Sequence, residues 1–328
     1  MSINILITDI TPMKAAIIDR YGSPEVLQIK EIEKPQIEPD QMLVKVHASS
    51  VNPIDWKIRK GLLKNRSGDE FPMLLGYDLS GEVMEVGDRI NQFHPGDLIY
   101  ARLDQSTGGA YAEYAAVSQG IAAAKPINMT HAEAATVPLA AMTALQALQN
   151  KGDIKAGQKV LINGASGGVG IFAVQIAKAF KTEVTGVCSG SNVEMVQSLG
   201  ADRVIDYKQQ DFTEDNVKYD IIFDVVGNRT PSECKSVLTP DGVYITTQPT
   251  PDEKLAELQQ DLMPNQKAEV IMLQSNAQDL VYLTREIEAG KIKTVIDYIY
   301  PLSEIAAAHT YSETEHASGK IAIAIVTS

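Results

Sequence analysis

Apolar positions along this chain come in two textures. From Met13 to about Asn128 they form short β-prone runs, "MKAAIIDRYG", "QMLVKVHASSV", "LSGEVMEVG" and "DLIYARL", punctuated by Gly, Pro, Asp and Asn. "GEVMEVGDRI" alternates in part, as a half-buried strand does, and "FHPGDLIY" reads as a turn feeding a strand. The texture changes after "AAAKPINMT". Thr130 with Glu133 has the spacing of a capping box, and "VPLAAMTALQALQN" is predicted to be helical. From Lys159 strands and helices alternate. "KVLING" and "EVTGVC" read as strands, "GVGIFAVQIAKAF" and "NVEMVQSLG" as helices, with Gly200 as a stop. "RVIDY", "YDIIFDVVG" and "GVYITT" are further strands, "AEVIML" is a candidate last one, and "AQDLVYLTREIEAGKI" is a helix before a terminal strand "GKIAIAIV". This predicts an α/β protein in which a doubly wound parallel sheet follows a mostly-β domain.

Composition narrows the function classes. The chain has 328 residues, 44% hydrophobic and 22% charged, which suits two domains of a soluble protein. A net charge of −13 without a Lys/Arg run disfavours nucleic acid as a partner. The terminal apolar run is too short for a membrane span. The start, "MSINILITDITP", lacks a basic n-region and a cleavage pattern and reads as an extension before Met13. Two cysteines, Cys188 and Cys234, make no secreted disulfide framework, so a cytoplasmic location with reduced thiols is expected. The five histidines are scattered, with no HExxH and no CxxC, and no metal site is predicted.

The chemistry starts at "NGASGGVG". Gly164, Ala165, Ser166, Gly167, Gly168, Val169 and Gly170 lie between a strand and a helix. Glycines there permit a tight turn, let backbone approach a pyrophosphate and let helix pack on strand. The helix N-terminus adds N–H groups and partial positive charge for the phosphates. No Lys-Ser/Thr follows, so the turn is not a nucleotide-hydrolysing P-loop. The second strand selects the dinucleotide. Where an NAD-binding unit usually has an acid, this one reads Cys188, Ser189, Gly190, Ser191 and Asn192. Neutral donors there would accept a 2′-phosphate, so NADPH is the expected cofactor, although Ser191 or Asn192 could equally cap the next helix. Val226 and Gly227, and Thr246 and Thr247, follow later strands at the carboxyl edge where ligands of such sheets lie.

These motifs together resemble the zinc-free medium-chain dehydrogenase/reductases of the quinone oxidoreductase type. The resemblance rests on "YGSPEVLQI", "VHASSVNPIDWKIRKG", "LLGYDLSGEV", "GGAYAEYAAV", "VPLAAMTALQAL", "NGASGGVG", "CSGSNVEMVQSLGAD" and "VIDY", and covers nearly everything from Met13 onward. It implies a GroES-like catalytic domain of residues 13–128, completed by 276–328, around a Rossmann NADPH-binding domain of residues 129–275. It also implies homodimers or homotetramers. Zinc-dependent relatives carry a cysteine in the segment matching "ASSVNPID" and a His-Glu pair where this chain has Tyr77-Asp78. Neither a cysteine nor a histidine is present there, and catalytic zinc needs three suitable protein ligands.

The activity the resemblance implies is metal-free hydride transfer from NADPH to a quinone or an α,β-unsaturated carbonyl, both small-molecule substrates. Charge building on the carbonyl oxygen then needs donors. Asn52, Lys57 and Tyr77 lie in family motifs and are the candidate catalytic residues. Asn52 could donate its amide or merely turn the chain before Pro53. Lys57 could stabilise an enolate or be a solvated helix lysine, and Tyr77 could donate a proton or pack as an aromatic. Trp56 could wall a ring substrate, and Asp55 is expected to order its loop. Thr143 matches a position near the nicotinamide in the family, and Tyr207 of "VIDY" one near the 2′-phosphate; a packed strand residue is the other reading of Tyr207. Gly319 and Lys320, opening the last strand, complete the candidates. The alternative is a non-catalytic NADPH-binding or structural protein of the same fold.

Overall fold

The computed structural model describes residues 12–248 and 252–325. The stretch through Thr11, read above as an extension, lies outside the described residues. A parallel six-stranded sheet has the order Arg203–Asp206, Glu183–Cys188, Lys159–Asn163, Tyr219–Asp224, Leu238–Thr246, Lys267–Val270. Successive side chains of its strands enter two different cores. Val160 and Ile162 join Phe172, Val184 and Phe223 on one face, while Leu161 joins Val187, Ile205 and Ile222 on the other. Burial on both faces is why these strands are apolar throughout rather than alternating. The helix Gly170–Ala179 that follows the glycine turn is buried nearly all round.

The other sheet is mainly antiparallel. Its order is Ile296–Pro301, Lys320–Ala324, Gln41–Val51, Asp78–Val86, Leu98–Arg102, Ala122–Ala124, with Tyr114–Ser118 also paired to Gln41–Val51. A small three-stranded sheet of Leu27–Glu33, Pro12–Ile18 and Met73–Leu74 packs beside it. The terminal strand Lys320–Ala324 thus returns to the first part of the chain, Ile323 lying opposite Ser49. The helix Ala277–Glu288 sits at the junction. Its Leu280, Leu283 and Ile287 share one core with Ile162 and Phe172, and the Tyr100 hydroxyl donates to the Leu280 carbonyl at 2.7 Å.

The expected capping box forms, Thr130 Oγ1 accepting from the Glu133 N–H, and opens a short helix of its own ahead of the predicted one. His131–Ala135 ends, and Pro138 opens Pro138–Gln146, because proline suits the first helical position and cannot continue a preceding turn. Gly200 stops Val193–Ser198 at φ +104°, the conformation glycine adopts without strain. Both cysteines are free and buried.

Candidate active site

The glycine turn is built around two close approaches. Gly164 has φ +86°, and a Cβ on Gly170 would lie 2.0 Å from the Gly164 carbonyl oxygen, so no other residue fits there. The turn is pinned to the second strand: the N–H groups of Gly164 and Ala165 both donate to the Val187 carbonyl, at 3.1 and 2.9 Å. In the first turn of the helix from Gly170, the Ile171 and Ala173 N–H groups donate to the Gly167 and Val169 carbonyls at 3.0 and 2.9 Å, while those of Gly170 and Phe172 have no backbone acceptor among the described residues. This backbone fits the pyrophosphate of a dinucleotide: it admits close approach and supplies donors.

The terminal strand meets this turn from the other domain. Gly319 (φ +98°) donates its N–H to the Ser166 carbonyl at 2.9 Å, and the Lys320 stem lies 3.0 Å from where a Cβ on Gly168 would be. The Lys320 ammonium is buried and donates to Asn52 Oδ1 at 2.5 Å, with Asp78 Oδ2 4.0 Å away. Burial pushes its pKa down, and the Asp78 and Asp55 carboxylates oppose that. One lysine therefore joins the glycine turn to Asn52 and Asp78.

At the end of the second strand Ser189, Ser191 and Asn192 lie together. Ser189 and Ser191 hydroxyls are 3.1 Å apart. The Asn192 amide donates to Ser189 Oγ and Ser166 Oγ, both at 3.3 Å, and its Oδ1 accepts from Ser318 at 3.1 Å. The Asn192 side chain does not cap the helix Val193–Ser198, which corrects that alternative: it ties three segments together instead. Cys188 is buried, and burial, with Asp206 adding to it, pushes its thiol up to about 11. Tyr207 is 57% exposed beyond the strand Arg203–Asp206, with its N–H on the Cys188 carbonyl at 3.1 Å, so it is not packed on a sheet face. The sequence reading missed Asp206. Its Oδ2 stands 2.7 Å from where a Cβ on Gly190 would be, bringing a carboxylate from the third strand beside the neutral cluster.

The later strands end at the same carboxyl edge of the parallel sheet. Buried Asp224 accepts from Asn163 Nδ2, the Gly227 N–H and the Tyr244 hydroxyl, each at 2.8 Å, and so shapes the turn carrying Val226 and Gly227. Asn163 and Asp224 went unnoticed in the sequence because each reads as the polar end of a strand. Val226 is 47% exposed, and Gly227 has φ +71°. Thr246 accepts from the Gln248 N–H at 3.2 Å, and Thr247 donates to the Val225 carbonyl at 3.0 Å. The Thr143 hydroxyl donates to the Leu139 carbonyl at 2.7 Å, leaving only acceptor capacity.

The three candidate catalytic residues fare differently. Asn52 is buried and its amide is fully engaged, Nδ2 donating to Asp78 Oδ2 at 2.9 Å while Oδ1 accepts from Lys320. It holds the junction rather than offering a free donor. Tyr77 is buried in the core beneath the mainly antiparallel sheet, where its hydroxyl donates to the Ser106 carbonyl at 2.6 Å and the Arg102 guanidinium covers its ring at 4.9 Å. Burial raises its pKa, so it stands as a packed aromatic and a weaker acid than a free phenol. The Lys57 side chain, half-buried on the helix Pro53–Arg59, has no hydrogen bond or ion pair among the described residues, and its ammonium is 5.5 Å from the Trp56 ring centroid. Trp56 itself is buried, with its indole N–H unpartnered among the described residues. Asp55 caps the same helix by accepting the Asn52 N–H at 2.7 Å, and burial pushes its carboxyl up to about 7.

Residues 199–323 match the zinc-binding dehydrogenase family and residues 38–127 the alcohol dehydrogenase GroES-like domain. The donor set at the metal-ligand positions does not fit zinc. Tyr77 is committed to Ser106, and Asp78 accepts from Ser50, Asn52 and the Leu139 N–H. No group of three or more His, Cys, Asp or Glu side chains among the described residues could hold a metal. The chain is 36% identical over 312 residues to the chloroplastic quinone-oxidoreductase homolog of Spinacia oleracea, covering 92% of this chain and 95% of that one. It is 34% identical over 324 residues to the chloroplastic NADPH-dependent alkenal/one oxidoreductase of Arabidopsis thaliana, covering 95% and 79%. The quinone oxidoreductase structure from Coxiella burnetii superposes with a TM-score of 0.89 at 33% identity, covering 96% of this chain and all of that one. The glycine turn, the parallel sheet and the returning terminal strand agree with these relationships, and the chain belongs to the medium-chain dehydrogenase/reductase family, quinone oxidoreductase type.

Proposed function

We propose that the protein is an NADPH-dependent reductase of quinones or α,β-unsaturated carbonyls that works without a metal. The observation that carries this reading is the junction at Gly319 and Lys320, where the pyrophosphate-binding turn is joined to the domain bearing Lys57. The relatives named for quinone and for alkenal/one reduction support the substrate class.

NADPH, when bound, supplies the hydride. The backbone of Gly164 to Gly170 binds and orients the pyrophosphate, and Ser189, Ser191, Asn192 and Tyr207 receive the 2′-phosphate. Thr143, Val226, Gly227, Thr246 and Thr247 frame the nicotinamide end at the carboxyl edge of the sheet. Asn52, Asp78 and Lys320 hold the two domains in register, so that donor and acceptor meet in a fixed geometry. Lys57, the candidate with an unengaged head group, stabilises the oxyanion that grows on the substrate carbonyl.

The test is NADPH and NADH oxidation with a panel of quinones, 2-alkenals and cyclic enones. A preference for NADPH of about tenfold or more in kcat/KM is expected, equivalent to about 1.4 kcal/mol. Equal values for the two cofactors would remove the 2′-phosphate assignment, and no turnover with any acceptor would favour a binding protein. Activity should survive a chelator, with no stoichiometric zinc by elemental analysis; zinc whose removal abolishes activity would overturn the metal-free reading.

A further inference from the structure

We propose that a cleft at the seam between the three-stranded and seven-stranded sheets is a second binding site, for a single-chain amphipathic anion of the fatty carboxylate class. The cleft has a volume of about 560 Å³, within the range of about 300–1,000 Å³ usual for small-molecule sites. It shares no lining residue with the cofactor cleft described above.

Its charge runs against that of the chain. Three lysines line it in a protein of net charge −13: Lys14 from the strand Pro12–Ile18, Lys34 from the loop after Leu27–Glu33, and Lys45 from Gln41–Val51. None forms an ion pair among the described residues, although Glu31 and Glu82 stand across from Lys14 and Lys45 in register. The one lining carboxylate, Glu113, is turned to the backbone, accepting the Lys14 N–H at 2.7 Å. Unpaired ammonium groups converging on one cleft create a positive potential that an anion would neutralise.

The wall beneath them selects the rest of the ligand. It is mainly aliphatic, made by Ile29, Leu302 and Ile325 with two prolines and Ser303. Tyr114 is the one aromatic residue of the lining, and its ring is covered by the Lys34 ammonium at 3.9 Å. A nucleobase would therefore find no free stacking face, whereas an alkyl chain finds apolar contact and its headgroup finds point charges.

Isothermal titration of the full-length protein with dodecanoate tests this. Saturable micromolar binding is expected, unchanged by saturating NADPH. The double variant Lys34→Gln/Lys45→Gln should bind about tenfold more weakly, and dodecanol, with the same chain and no charge, should also lose about tenfold. Lys14→Gln is a second, independent variant that should weaken binding. Circular dichroism should show all variants folded, and NADPH oxidation with a quinone should be unchanged, because none of these residues belongs to the cofactor cleft. No saturable heat, displacement by NADPH, equal affinity in the double variant, or dodecanol binding as tightly as dodecanoate would each overturn the proposal.

Discussion

At position 57 the lysine side chain has no hydrogen bond or ion pair among the described residues, while the Asn52 and Tyr77 side chains are bonded inside the protein. That contrast decides which candidate can respond to charge on a substrate. An engaged donor must break an existing bond to act, whereas an unengaged one has only water to shed. Lys57→Ala is therefore expected to lower enone or quinone turnover by about a hundredfold, roughly the 3 kcal/mol of one lost oxyanion donor. NADPH affinity, measured by fluorescence titration, should change far less. Turnover within about threefold of the parent would return Lys57 to the solvated surface.

Two elements carry the cofactor predictions. In the glycine turn a Cβ on Gly170 would meet the Gly164 carbonyl oxygen at 2.0 Å, backbone against side chain with no flexible partner to yield. Gly170→Ala should cost about 1–3 kcal/mol of stability by denaturant titration and weaken NADPH binding as the turn opens. At the end of the second strand, Ser189 bonds Ser191 and accepts from Asn192 within a neutral cluster. Ser189→Asp adds a carboxylate to that cluster, where Asp206 already brings one from the neighbouring strand. The variant should abolish or reverse the NADPH preference in kcat/KM, because a second negative charge repels the 2′-phosphate. An unchanged ratio would show that the phosphate lies elsewhere.

On the scale of the whole molecule, stability has a titrating contribution far from the cofactor. His309 is fully buried against Tyr111, and burial, assisted by the nearby Arg59 charge, pushes its pKa down to about 3. Between pH of about 6.5 and 3 the unfolded chain binds a proton there that the folded protein does not. The contribution of this group to stability then falls as pH drops through that window, by up to about 1.4 kcal/mol per pH unit, while the raised Asp55 carboxyl works in the opposite direction. His309→Gln should remove this contribution, so that stability in denaturant titrations falls less, or rises more, than in the parent as pH drops from about 6.5 to 4. An unaltered slope would mean that His309 takes up its proton in the folded state.

The architecture was legible because its signals are local. A glycine run between an apolar strand and an apolar helix, and the shift from short β runs to alternating strand and helix, need only neighbouring residues to be recognised. The neutral composition of Ser189 to Asn192 was likewise plain in the sequence. What the sequence could not supply was pairing between distant positions. Asn52 meets Lys320 across 268 residues, Asn163 meets Asp224 across 61, and Asp206 reaches Gly190 from another strand. Such pairings decide whether a polar side chain faces a ligand or spends its hydrogen bonds inside the protein. They follow from sheet order and register, and a residue's own neighbours in the chain carry no record of either. The sequence by itself determined the fold class, the cofactor turn and the candidate set; the tertiary structure decided which of those candidates keep a free polar group, because only folding brings their competing partners within bonding distance.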